Sequence, residues 1–180
     1  NVHEIPFVRL RTILGDILHQ TNKRSLLDIV EVAQQRIDHT FGPIQLKVDF
    51  KRTLLMVDKH GIKLPAKNLA LYATLLSQTK NKQFITLDEI LSKSFLEKYL
   101  ENYKKIKGPK NVLYNKERLR IDQVTDIDEF YSKEWFMESI SKIRRNLKNN
   151  LPEHLSSRVI IKNTGGYGES KYGIFPDIEN

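Results

Sequence analysis

Two neighbouring stretches carry the residue types best suited to binding an anion. SISKIRRNLKNNL (139–151) presents Ser141, Lys142, Arg144, Arg145, Lys148 and Asn149, and RVIIKNTGGYGESKYGIF (158–175) presents Lys162, Asn163, Thr164 and Lys171. Counting Arg158 with them, the Lys and Arg side chains from Ser139 to Lys171 outnumber Glu153 and Glu169 by five, more than half of the chain's formal +8. Cations at this density can neutralise a phosphate backbone, and the Asn, Ser and Thr side chains add hydrogen-bond donors. The same charges would also suit the solvated face of a helix that packs on a core. Other chemistries fit less well. GGYGESK lacks the Gly before Lys171 and the following helix that a phosphate-cradling loop requires. Arg145, Asn146 and His154 could suggest a ribonuclease, but the spacing is long and Pro152 interrupts the helix, which leaves His154 as a solvated loop residue. His3, His19, His39 and His60 are scattered and cysteine is absent, so no metal site or thiolate nucleophile is expected. Asp122, Asp126, Asp128 and Glu129 read as caps and the solvated first turn of a helix rather than as a cation site.

The elements that must position these residues follow from periodicity. Phe136, Ile140, Ile143 and Leu147 recur at helical spacing, which predicts a helix over 132–150 stopped by Pro152, with the cations on its opposite face. RVIIK then reads as a strand, NTGGYGES as a turn and KYGIF as the return strand. A helix followed by a two-stranded hairpin is the order found in winged helix-turn-helix domains, where the helix enters the major groove and the wing touches the backbone or minor groove. Upstream, Phe7–Gln20 and the segment from Ser25 to Gly42-Pro43 predict a helical pair. IQLKVDFKRTLLMVDKHGIKL (44–64) alternates as a hairpin or meander turning at DKHG. Pro65 opens a helix through Gln78, and Thr86 with Glu89 forms a capping box for the next one. Residues 96–131 are helix-prone, rich in Lys and Tyr, and broken at Gly108-Pro109.

The whole sequence has 180 residues, 39% hydrophobic and 29% charged, with a pI near 9.5. That is enough apolar material for a real core. No run approaches the roughly 18–20 apolar residues of a membrane span. The lack of cysteine fits a cytoplasmic setting. Asn1 opens on VHEIPFVRLR, which reads like the exit of a preceding domain. The expected fold is mainly α with small antiparallel β elements: a winged helix over 44–180 with an insertion at 96–131, preceded by a linker or dimerisation segment at 1–43.

VDFKRTLLMVDKHGIKLPAKNLALYATLLSQ, FITLDEIL and SISKIRRNLKNNL…RVIIKNTGGYGESKYGIF resemble the first hairpin and helix, the second helix, and the recognition helix and wing of OmpR/PhoB-type winged helices. EIPFVRLR, GIKLPAKNLALYATLL and SISKIRRNL…YGIFPD are similar to the C-terminal half of CRISPR-associated proteins in which a CARF (CRISPR-associated Rossmann-fold) domain precedes a winged-helix region. The first resemblance implies that Ser141, Lys142, Arg144, Arg145 and Lys148 lie on a recognition helix, and that Lys162, Asn163, Thr164 and Gly166 lie on a wing. The second implies a role in type III antiviral defence. Cyclic oligoadenylate would be bound, and in ring nucleases cleaved, by a CARF domain outside this sequence, and the full-length protein would be a homodimer. The expected role is a DNA-binding regulatory module for duplex DNA. The alternative is a protein-interaction or dimerisation module without nucleic acid. No cofactor or catalytic residue is expected within the sequence itself.

Overall fold

The structure, a computed structural model, describes residues 44–79, 84–123, 133–165 and 170–174. The chain divides between Pro43 and Ile44, and every described residue belongs to the second unit. The helical pair expected within 1–43, the carboxylates Asp126, Asp128 and Glu129, and the turn residues 166–169 lie outside the described residues.

Among the described residues the protein is mainly helical, with two small antiparallel sheets. The first is a meander of β1 (Leu46–Asp49), β2 (Leu54–Val57) and β3 (His60–Lys63). Alternation along β2 sends Leu55 and Val57 inward, and Leu55 lies opposite buried Ile62 of β3. Asp58 makes the β2–β3 turn in the left-handed region, φ 51°, which short polar side chains tolerate. Its carboxylate accepts from Gln45 N at 2.8 Å and so fixes the start of β1.

Helix α1 (Ala66–Gln78) follows, with Pro65 as its N-cap rather than its first residue. Every residue from Asn68 to Leu75 is buried, so α1 is the central helix of the core instead of a one-sided surface helix. Strand β4 (Ile85–Thr86) leads directly into the short α2 (Leu87–Leu91). The capping box forms as the sequence predicts: Glu89 N donates to Thr86 Oγ1, and Thr86 N donates to Glu89 Oε2 at 2.7 Å.

The stretch expected as an insertion begins inside α3 (Lys93–Lys107), capped by Ser92. Phe95, Leu96, Tyr99, Leu100 and Tyr103 form one face of α3 and pack onto α1, so this part supplies core side chains. Gly108 ends the helix at φ 83°, a conformation that an L side chain rarely adopts, and donates its N–H back to Lys104 O. Helix α4 (Val112–Gln123) buries only Tyr114 and Glu117 and leaves Val112, Leu113 and Leu119 more than half exposed.

Helix α5 (Lys133–Asn150) is the helix predicted from the period of Phe136, Ile140, Ile143 and Leu147, and all of these are buried. Beyond it the sequence reading needs one correction. RVIIK is not a strand, because Arg158 and Val159 close a further helix, α6 (Glu153–Val159). Pro152 stops α5 and serves as the N-cap of α6, Glu153 sits in its first turn, and Leu155 and Val159 place a buried pair four residues apart. His154 accordingly stands on a helix and not in a loop. The strand begins later, as β5 (Lys162–Thr164), and pairs with β6 (Lys171–Gly173). Strand β6 also pairs with β4, giving the order β4-β6-β5. Tyr72 of α1 donates its hydroxyl to Val159 O at 2.7 Å, and Thr79 Oγ1 accepts from Ile174 N at 3.2 Å, so the central helix anchors both α6 and the exit of β6.

Candidate nucleic-acid interface

The apolar stripe of α5 fixes which side chains remain outside. With Phe136, Ile140, Ile143 and Leu147 in the core, Ser141, Lys142, Arg145, Lys148 and Asn149 are all exposed. The cations of this helix differ in their engagements. Lys142 is salt-bridged to Glu138 one turn back at 2.6 Å. Among the described residues no carboxylate pairs with Arg145 or Lys148. Arg144 is half-buried, and its Nε donates to Ile161 O at 2.9 Å. It therefore joins α5 to the segment that enters β5. Arg158 is buried and does not add to a surface patch.

The hairpin sorts its side chains by register. Thr164 lies opposite Lys171 and Lys162 opposite Gly173, so Lys162, Thr164 and Lys171 share one face. Asn163 lies opposite Tyr172 on the other face. Lys162, Asn163, Thr164 and Lys171 are all exposed. Lys171 also faces Thr86 across β4–β6. The Glu89 carboxyl is held below the usual carboxylate range, first by the hydrogen bonds from the Thr86 backbone and hydroxyl, and then by the charge of Lys171.

Helix and hairpin are held as one piece. Phe136 meets the Tyr172 ring edge to face with centroids 5.0 Å apart, and the Tyr172 hydroxyl lies 3.1 Å from Met137 Sδ. An aromatic pair of this geometry adds about 0.5–1.5 kcal/mol beyond its area. Together with the Arg144–Ile161 bond, this sets the basic face of α5 in fixed relation to β5 and β6. Helices α3 and α4 meet the N-terminal half of α5 at a cleft, where Tyr103, Lys107 and Leu113 stand with Trp135, Glu138 and Lys142. Ser141, Arg145, Lys148 and Asn149 stay uncovered by any described residue.

That cleft was not foreseen from the sequence. Its signal was present in Ser139, a polar residue beside the stripe of Phe136, Ile140 and Ile143, and in Asn68, the polar residue that opens the buried run 68–75 of α1. Among the described residues no cluster of His, Asp and Glu could hold a metal ion, and no helix is long and apolar enough to cross a membrane.

Comparison with protein-family models, curated proteins and solved structures finds no match to this chain.

Proposed function

We propose that this chain is a winged-helix module that binds duplex DNA through α5 and the β5–β6 hairpin. The observation that carries this reading is the uncovered basic half of α5, locked to a hairpin whose Lys162, Thr164 and Lys171 share one exposed face. The order of elements supports it. Central helix α1, strand β4, short helix α2, helix α5 and a closing hairpin with sheet order β4-β6-β5 match the sequence of parts in a winged helix, preceded here by the three-stranded meander. In this reading α5 lies in the major groove, with Arg145, Lys148 and Asn149 towards the DNA, and Lys162 and Thr164 touch the flanking backbone. Arg144 positions the helix against the hairpin and does not read bases.

In this proposal, which draws on the resemblance to CARF-containing CRISPR proteins, the module follows a ligand-binding domain, its DNA binding is regulated by cyclic oligoadenylate bound there, and the working form is a homodimer. The second reading, a protein-interaction module, draws support from the exposed Val112, Leu113 and Leu119 of α4, which give that helix an apolar surface that the described fold does not use. Fluorescence-anisotropy titration of mixed-sequence duplex DNA at two salt concentrations separates the two readings. Binding that weakens steeply with salt, and is lost on reversing Arg145 and Lys148, is expected for the first. Absence of binding at low salt would leave the second.

A further inference from the structure

Among the described residues, the large hydrophobic side chains left exposed all stand on one helix. Val112, Leu113 and Leu119 of α4 are 65%, 54% and 54% exposed. A single exposed aliphatic side chain is ordinary, but three on a helix of 12 residues form a patch. At about 100° per residue, Val112, Lys116 and Leu119 fall within about 60° of one another. Tyr114, Glu117 and Ile121 lie on the opposite side, where Tyr114 and Glu117 are buried and Ile121 packs on the core. Val112 and Leu119 are two turns apart, so they stand about 10 Å from each other along the outward face, with Lys116 between them. Leu113 and Arg120 share one flank of that face.

The charges around the patch have one sign. Lys110 precedes the helix, Lys116 divides the two outward aliphatics and Arg120 stands on the flank of Leu113, and all three are exposed. Among the described residues no carboxylate pairs with them. The carboxylates of α4 are engaged away from this face. Glu117 holds Lys67 at 2.7 Å on the core side, and Asp122 holds Arg118 at 3.3 Å on the other flank.

These features choose between occupants. A second copy laying the same face down would bring Lys116 and Arg120 against their own counterparts, and like charges at a contact repel. A neutral apolar partner would bury Lys116 without a counterion. Helices that lie on an anionic bilayer present a continuous apolar side, commonly with aromatic rings, whereas Tyr114, the one aromatic of α4, is turned into the core and a cation divides Val112 from Leu119. Phosphates of a nucleic acid would satisfy the cations but gain nothing from three aliphatic side chains. A helix with an apolar stripe edged by carboxylates meets both needs.

We propose that the outward face of α4 docks an acidic amphipathic helix of a partner protein. Apolar side chains of the partner, two turns apart, pack on Val112, Leu113 and Leu119, and its Asp and Glu side chains pair with Lys110, Lys116 and Arg120. This rests on the protein-interaction reading of α4 and adds the chemistry of the partner; it does not depend on DNA binding by α5.

The probe is a labelled peptide of about eighteen residues, long enough to be helical alone, with Leu along one face and Glu and Ala elsewhere. Two further peptides carry Lys in place of Glu, or the same residues in shuffled order. Each is titrated with the whole chain and followed by fluorescence anisotropy, and vesicles of acidic phospholipid are tested by sedimentation. Saturable binding of the acidic helix is expected, with both other peptides weaker by at least about tenfold and no protein carried down by vesicles. The Val112→Ser, Leu119→Ser variant and the Lys116→Glu, Arg120→Glu variant should each weaken the acidic helix by at least about tenfold, whereas Lys98→Glu, a charge reversal on the exposed side of α3, should leave it unaltered. Circular dichroism confirms folding, and the two α4 variants stand in for one another if either is not folded. The proposal is overturned if the acidic helix does not bind up to about millimolar concentration, if vesicles take up the protein, or if both folded variants bind like the parent. Equal binding of the Lys-bearing peptide, lost in the Val112→Ser, Leu119→Ser variant, would overturn the acidic partner while keeping α4 as a protein-docking helix.

Discussion

Reversing Arg145 and Lys148 together should remove most of the salt-sensitive part of DNA binding, and the structure sets the size of the effect. Of the exposed cations on the C-terminal half of α5 and the hairpin, Lys142 is engaged by Glu138 and Lys171 lies in the field of Glu89, whereas Arg145, Lys148 and Lys162 have no carboxylate partner among the described residues. If Arg145, Lys148 and Lys162 each meet one phosphate, the logarithm of the association constant falls with the logarithm of salt at a slope of about −2.7. A rise from about 50 to about 200 mM salt then weakens binding about fortyfold. In the Arg145→Glu, Lys148→Glu variant only Lys162 remains, so the slope drops to about −0.9 and the same salt step costs about three- to fourfold. Anisotropy titration of a labelled mixed-sequence duplex at several salt concentrations measures both slopes. A parent slope near −4.5 would mean that DNA also draws Lys142 and Lys171 away from their carboxylates. An unchanged slope in the double variant would refute the assignment of α5 as the reading helix, because cations that meet phosphates cannot be reversed without changing counterion release.

Four further variants concern the scaffold. Tyr72→Phe removes the donor to Val159 O inside the core and should cost about 1–2 kcal/mol in chemical denaturation. Burial also holds the Tyr72 phenol well above its ordinary value, so its contribution to stability is complete below about pH 10 and is lost as pH rises further, a loss that thermal melts should show in the parent and not in Tyr72→Phe. Thr86→Ala breaks the capping box of α2 and should cost about 1 kcal/mol. Because the Glu89 carboxyl is held low, its stabilising share is present above the ordinary carboxylate pKa and fades as pH falls through the folded value, so melts of Glu89→Gln should show less acid sensitivity than the parent; equal sensitivity would remove Glu89 from the account. Phe136→Ala empties a fully buried site at the joint between α5 and β6 and should destabilise by about 3–5 kcal/mol, with a near-wild-type denaturation midpoint counting against that joint.

Much of this arrangement was legible in the sequence because it rests on local rules. The Phe136–Leu147 period set the face of α5, Thr86 and Glu89 announced the start of α2, and Gly108 marked the end of α3. What was not legible depends on tertiary context. RVII has the composition of a strand, but Pro152 and Glu153 begin a helix that consumes Arg158 and Val159, and no window of propensity reveals that Val159 will accept a bond from Tyr72. Arg144 and Arg145 are adjacent and chemically alike, yet a rotation of about 100° along the helix sends one to Ile161 O and the other to solvent. Asn68 and Ser139 gain meaning only when α1 and α5 bring them to the same cleft. Residues 96–131 read as an insertion only against the short loop that OmpR/PhoB-type winged helices have at that place, whereas Leu96, Tyr99 and Tyr103 pack on the central helix.

The place of β6 has a consequence for how the domain is made. This strand lies between β4 and β5, pairing Tyr172 with Ile85, and the core side chains Tyr172 and Ile174 belong to it and its exit. Residues so far apart along the chain must meet before the second sheet is complete, and such long-range pairing is slow compared with the closing of the β5–β6 hairpin or a helical turn. During synthesis, α1 and α3 can meet and bury their shared face while the ribosome still holds the chain that will become α5. Helix α5 and its hairpin therefore gain their fixed geometry in the final step, when β6 emerges beside β5 and joins it to a strand, β4, made long before.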